Sequence, residues 1–267
     1  MTYADVRPVL ANAVVRPNLA RADRRLHFLH VPKCGGTTVR NVLESFAAIR
    51  NLTCVNEARR PDDAIPDPSA GVISMGHLRP VDALMRADTC YITVLRDPVR
   101  RLRSYVEMVS GRTEQDPAVI VDRLDWPTAN AAVHLLTGAR GPEGDPVSAA
   151  KRALAEKIHL FGFQEQLNEF VRLLGGLLDL GGIIFPSLQV THPRWRLDDR
   201  FDHRFAEMSK ADLALHAFAK ALYAERLAGS DLIMDNTRPK PDRPYLSITV
   251  GNDQIESSEI FFATQTT

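Results

Sequence analysis

Cysteine is scarce in this chain, long apolar runs are missing, and charge of neither sign is in excess. The three cysteines, Cys34, Cys54 and Cys90, are too few and too irregularly spaced for a disulfide framework or a zinc knuckle, so a reducing compartment is expected. No stretch reaches the roughly 18 to 20 apolar residues that cross a bilayer. The segment from Met1 to Arg25 alternates arginine and proline with short apolar pieces and has no apolar signal core, so the expectation is a cytoplasmic protein with no membrane span. Lys plus Arg number 33 and Asp plus Glu number 33, which leaves no overall basic field for nucleic acid and requires any anion site to be local. Two places qualify: Arg16 to Lys33 holds five basic residues against Asp23, and Arg96 to Arg103 holds four arginines against Asp97. Arginines at such spacing also decorate solvated helix faces, so these patches carry weight only beside a phosphate motif.

What is present is the composition of an ordinary folded protein, with 267 residues, 45% of them hydrophobic and 25% charged, which excludes a disordered chain. Leu26 to Val31 (LHFLHV) is a short apolar run that stops at Pro32 and predicts a buried strand. From Thr37 the period changes, and Val39, Val42, Leu43, Phe46 and Ile49 recur at helical spacing. Gly71 to Met75, Thr89 to Leu95 and Ile158 to Phe163 predict three more strands. A helix carrying Val99, Leu102, Val106 and Val109 follows the second of these, with Asp97 as its cap and Pro98 just inside. After Gly111 helices are expected at about 127 to 137, 146 to 157, 164 to 175 and 209 to 228, the last opening on a capping box of Ser209 and Asp212. Strands alternating with helices imply an α/β fold: a three-layer αβα arrangement with a central parallel sheet and a helix-rich C-terminal half. One domain is expected over 25–235, flanked by an N-terminal extension (1–24) and a C-terminal extension (236–267). The latter is proline-rich and then polar, either loosely held or forming a short added strand.

Pro32-Lys33-Cys34-Gly35-Gly36-Thr37-Thr38 sits where an α/β sheet places ligands, at the carboxyl end of a strand and the start of a helix. Paired glycines let the backbone approach an anion, the first-turn amides point at it, and the helix dipole adds favourable potential. Thr37 and Thr38 add hydroxyl donors and Lys33 a mobile positive charge. The order differs from a Walker A loop, in which the lysine follows the glycines, and the four-residue spacer of that motif is missing, as is a dinucleotide GxGxxG fingerprint. The loop is therefore P-loop-like without being an ATP-hydrolysing one. A second element, YITVLRDPVRRLRSY (Tyr91 to Tyr105), runs from a strand into Arg96-Asp97-Pro98 and then a helix with Ser104 eight residues after Arg96. Arg96 can grip a phosphate bidentately and Ser104, two turns on, can donate to the same group. On neighbouring strands, the two elements would hold the two phosphate ends of one nucleotide.

The pair VPKCGGTT and VLRDPVRRLRSY resembles the 5'-phosphosulfate loop and 3'-phosphate element of sulfotransferases that use 3'-phosphoadenosine 5'-phosphosulfate (PAPS). It is most similar to the branch containing heparan sulfate 2-O-sulfotransferase and uronyl 2-O-sulfotransferase, and the likeness extends over roughly Arg25 to Ala228. A departure is Cys34, where that family usually carries threonine. The resemblance implies a PAPS donor bound by Lys33, Cys34, Gly35, Gly36, Thr37, Thr38, Arg96 and Ser104, with Thr191 and Arg194 of the THPRWR segment closing over the phosphates. It also implies a histidine base just upstream of the arginine strand, which falls on His77 in Ser74-Met75-Gly76-His77; the second imidazole of the family's pair is lost at Ser74 or Met75. His192 is the understudy for the base; Trp195 is expected to be a buried structural residue, with stacking on adenine or acceptor as the alternative.

Sulfuryl transfer needs a positive group at the leaving oxygen, an in-line acceptor and a base. Lys33 suits the first role and His77, an imidazole titrating near neutrality, the last. Lysine, arginine and backbone amides supply the stabilisation that magnesium gives a kinase, so no metal is required. The expected acceptor is a hydroxyl on a glycan or a small molecule. Two rivals stay open: a small-molecule or nucleotide kinase, and a PAPS- or 3',5'-ADP-binding module that has lost the chemistry. Acceptor identity and oligomeric state are not legible.

Overall fold

The computed structural model describes residues 25–56, 72–76, 89–178, 180, 182–184, 197–228, 245–250 and 255–260. Five strands form the central sheet: β1 (Arg25–Leu29), β2 (Thr53–Asn56), β3 (Val72–Gly76), β4 (Thr89–Leu95) and β5 (Leu160–Phe163). Their spatial order is β2-β3-β1-β4-β5 and every neighbouring pair is parallel. A parallel sheet is covered on both faces, so its inner strands read as continuous apolar runs rather than alternating ones. All seven residues of β4 (TCYITVL) are buried, as are Leu26, Phe28 and Leu29 of β1.

The chain leaves β1 through α1 (Gly36–Ile49) toward β2 on one side of the sheet. From β4 it travels the other way, through α2 (Pro98–Thr113), α3 (Pro117–Asp122), α4 (Trp126–Ala129), α5 (Ala131–Thr137) and α6 (Pro146–Glu156), to reach β5. Right-handed crossovers running in opposite directions lay their helices on opposite faces, which is what a three-layer αβα arrangement requires. Val39, Val42, Leu43 and Phe46 form the buried stripe of α1, as their spacing predicts. Each such side chain contributes about 1.5 to 3 kcal/mol by leaving water. Leu102 and Val106 of α2 belong to a second, smaller cluster with Val121, Leu197 and Phe205.

Beyond β5 come α7 (Leu167–Leu177), β6 (Gly182–Ile184), α8 (Asp202–Met208), α9 (Lys210–Ala228), β7 (Tyr245–Val250) and β8 (Ile255–Ile260). The last two strands, in the stretch read from sequence as an extension or added strand, join β6 in a small second sheet, with β6 and β7 parallel and β7 and β8 antiparallel. Leu246 of β7 is fully buried in the main core. No helix among the described residues is long and apolar enough to cross a membrane.

Two local expectations are corrected. The helix expected over 127 to 137 is two short helices broken at Asn130, whose backbone leaves the helical region (φ −118°, ψ 52°). Its side chain explains the break: Nδ2 donates to the carbonyls of Trp126 and Met208, while Oδ1 accepts from the amide of Asp212. Nor does Asp212 close a capping box at α9. The Ser209 hydroxyl donates back to the Phe205 carbonyl, and the Asp212 carboxylate reaches across to accept from the amides of Ala132 and Val133 at the start of α5. Arg101 of α2 approaches the same carboxylate, Nε to Oδ2 at 3.7 Å, and its Nη2 donates to the carbonyls of Thr128 and Ala129. Arg101 is 1% and Asp212 2% exposed, so one buried pair ties α2, α4, α5 and α9 together.

Removing one member of a buried pair strands the other charge, whereas removing both does not. Asp212→Ala is therefore expected to lower unfolding stability by about 3 to 5 kcal/mol in urea denaturation. The double variant Arg101→Met with Asp212→Leu is expected to lose less than Asp212→Ala alone, a non-additivity that measures the pairing directly.

Candidate functional site

The reversal of connection direction falls at β1 and β4, which lie side by side, and the crevice outside the carboxyl ends of such strands is where open α/β sheets bind ligands. Leu29 of β1 pairs in register with Thr93, whose hydroxyl donates to the Leu29 carbonyl at 2.9 Å. The two chain segments that leave these strands, one with Lys33 and the other with Arg96, therefore emerge together. They touch: Arg96 Nη1 donates to the Lys33 carbonyl at 3.1 Å.

The backbone of the first segment is shaped for an anion. Lys33 (φ 67°) and Gly35 (φ 80°) are both left-handed, with Cys34 between them, and such alternation turns successive amides toward one side. A left-handed lysine costs about 1 to 2 kcal/mol, a cost that glycine at 35 avoids. Gly35 is also the N-cap of α1 and offers no side-chain acceptor, which leaves the amides of Gly36 and Thr37 without an intrahelical partner. Gly36 is needed for a separate reason. The imidazole of His30, stacked on Phe28, lies where a Cβ at 36 would go.

Electrostatics point the same way. Burial, then the nearby guanidinium groups of Arg112 and Arg96, lower the Lys33 ammonium from its ordinary value, with only Glu107 acting against them. Arg112 and Glu107 sit on later turns of α2, so the ammonium is felt along that helix. The charge felt at Lys33 is thus mainly positive, two guanidinium groups against one carboxylate. Asp97 caps α2 as expected, its carboxylate accepting from the Arg100 amide at 2.9 Å, and its own amide donates to Glu165. Ser104 is half-buried on α2, about 9 Å of helical rise beyond Pro98.

The structure thins the arginine patch. Arg101 is spent in the buried pair with Asp212, and Arg103 holds Asp199, Asp202 and the carbonyl of Leu197. Of the four arginines between 96 and 103, Arg96 is the one bonded to the Lys33 loop. Cys34 is fully buried with its thiol pushed up to about 12 by burial, so its contribution to an anion comes through the main chain. The Thr38 side chain is likewise buried, while Thr37 is half-buried at the helix start.

His77, Thr191, His192, Arg194 and Trp195 lie outside the described residues. Their neighbours in the chain are informative. Gly76, just before His77, ends β3 beside β1, and its carbonyl accepts from the His30 amide at 3.0 Å. Leu197, three residues after Arg194, is fastened to α2 through Arg103 and Glu107. Sequence reasoning missed His30, Glu107, Arg112, Glu165 and His216, because none belongs to a motif and each is brought in by packing. Among the described residues no group of three or more His, Cys, Asp or Glu is gathered as a metal cluster would be.

The fold and site define an α/β protein with a basic, glycine-bearing loop at the switch point of a parallel sheet. No family model matches the chain, and no curated protein matches it.

Inorganic pyrophosphate is expected to raise the melting temperature of the wild-type protein, and Gly36→Ala, whose Cβ would displace the His30 ring, is expected to abolish that rise. Thermal-shift titration checks this, with Gly111→Ala, where an added Cβ meets nothing within 4 Å, as the control.

Proposed function

We propose that the protein is a sulfotransferase that moves the sulfuryl group of PAPS to an acceptor hydroxyl. The observation that carries the reading is the bond from Arg96 to the Lys33 carbonyl, because it unites at one sheet edge the two elements that resemble the 5'-phosphosulfate loop and the 3'-phosphate grip. In this reading the P-loop-like cradle formed by the main chain from Lys33 to Thr37 receives the 5'-phosphosulfate, and Arg96 with Ser104 takes the 3'-phosphate. Thr191 and Arg194 close over the nucleotide from the segment anchored at Leu197.

The acceptor oxygen attacks sulfur in line. A new O–S bond forms as the bond between sulfur and the 5'-phosphate oxygen breaks, and 3',5'-ADP leaves with the bridging electron pair. Lys33 stabilises the charge on that oxygen. His77 takes the acceptor proton; it is the residue after Gly76, which ends β3 beside β1. A glycan hydroxyl is the acceptor class that the resemblance favours.

Calorimetry with 3',5'-ADP tests the donor site. Lys33→Ala and Arg96→Ala are each expected to weaken binding at least tenfold, the loss of about 1.5 to 3 kcal/mol that accompanies a charge-assisted contact. Unchanged affinity in both would remove the site, and tighter binding of ATP with magnesium than of 3',5'-ADP would favour a kinase. His77→Ala is expected to lower turnover of PAPS by about 10²- to 10⁴-fold while 3',5'-ADP affinity stays unchanged, in a mass-spectrometric assay of sulfated products. Wild-type binding of 3',5'-ADP with no sulfated product from any acceptor would leave a nucleotide-binding module.

A further inference from the structure

Beneath the anion loop lies a small, partly open space lined by Cys34, Arg96, Arg101, Asp212, Leu215 and His216, among others. It has room for little more than one water-sized sphere. Three of the side chains that line it each carry a buried nitrogen with no hydrogen-bond partner among the described residues: Arg96 Nε, Arg101 Nε and His216 Nε2. Arg101 Nε has only the 3.7 Å approach of Asp212 Oδ2, too long for a hydrogen bond. Buried polar groups are satisfied by protein or by internal water, and orphaning three of them around one space would cost several kcal/mol.

The donor and acceptor inventory selects the occupant. Both arginine Nε atoms are obligate donors, the Asp212 carboxylate is an acceptor, and His216 Nε2 accepts when the ring proton sits on Nδ1. Two donors and two acceptors complement the two lone pairs and two protons of a single water molecule. A halide would satisfy the arginines but would need Nε2 to donate, and it would stand against Asp212.

We propose that this space is an internal hydration site in which one ordered water accepts from Arg96 Nε and Arg101 Nε and donates to His216 Nε2 and Asp212. The water makes His216 a positioning residue for Arg96: it ties the guanidinium that grips the Lys33 loop to the rigid Arg101–Asp212 pair. His216 must stay neutral to accept. It is 7% exposed, and the charged groups around it are Lys220 and Asp212 on its own helix, Glu165 from the turn after β5, and Asp97, Arg96 and Arg101 from the junction of β4 with α2. Burial, followed by Lys220, holds its imidazole below the ordinary value, while Glu165 and Asp97 pull weakly upward. A protonated Nε2 would be a third donor facing a water with two lone pairs.

The hydration site stands on its own geometry, and only its effect on ligand affinity rests on the proposed donor reading. Two measurements separate them. Imidazole-edited NMR of the full chain at pH 7 is expected to show the Nδ1–H tautomer of His216 and a cross-relaxation peak from a long-lived water to its ring protons. An absent water peak, an Nε2–H tautomer or a bound bromide in a crystal grown with that ion would each overturn the proposal, whatever the protein binds. In calorimetry with 3',5'-ADP, His216→Gln, whose amide oxygen replaces Nε2 as acceptor, is expected to bind within about twofold of wild type. His216→Phe, which keeps the packing against Phe163 but cannot accept, is expected to bind about tenfold more weakly. A purely structural role predicts the reverse order, and that order would also overturn the proposal. If the wild type bound no 3',5'-ADP, the donor reading would fail and the NMR result would still decide the hydration site.

Discussion

The contact between Arg101 and Asp212 organises the helical half of the molecule against the ligand edge of the sheet. Arg101 lies one turn into α2, four residues beyond Asp97, so whatever fixes Arg101 also fixes the helix that follows Arg96. Asp212 fixes it from α9 while satisfying two first-turn amides of α5, and Asn130 completes the arrangement by accepting from the Asp212 amide. Burial pushes the Asp212 carboxyl up, against the pull of Arg101 and of the Val133 and Ala132 amides. Such a pair adds little net stability over apolar residues of the same size, but losing one partner strands the other charge in the core.

That rigidity matters because the surface above it gathers positive charge around Lys33. Burial and then the charges of Arg112 and Arg96 lower the Lys33 ammonium, and the backbone at Lys33 is held in a strained, left-handed state. Strain and like charge persist only where surrounding structure over-determines them. Here the parallel pairing of β1 with β4, the Thr93 bond to Leu29 and the Arg96 bond to Lys33 do so. These contacts belong to the sheet and its loops, so the positive charge at this edge is fixed in place by the fold.

Much of this was legible from periodicity and punctuation. The switch from an apolar run to helical spacing around Pro32 to Thr37 marks β1, the loop and α1, and Asp97-Pro98 marks the start of α2; each signal is local, so each survives in the fold. β2 (TCVN) and β6 (GII) are not legible from sequence, because neither offers more than two apolar side chains to set a pattern, and the tail, where one short added strand is the expectation, forms two, β7 and β8. The break at Asn130 and the redirection of Asp212 were misread because a side chain offered both a local and a distant partner, and only packing decides between them.

Sequence alone determined the strand–loop–helix units and the chemical character of their junctions, since glycine, proline, lysine and arginine act through short-range sterics and charge. The tertiary structure decided which arginine serves the loop. Arg96, Arg100, Arg101 and Arg103 are equivalent as a run of charges, yet one meets Lys33, one is exposed, one is buried with Asp212 and one anchors Leu197. The reason is geometric: the strand's end aims Arg96 across at β1, and a helix of 3.6 residues per turn then sends each later arginine to a different neighbour.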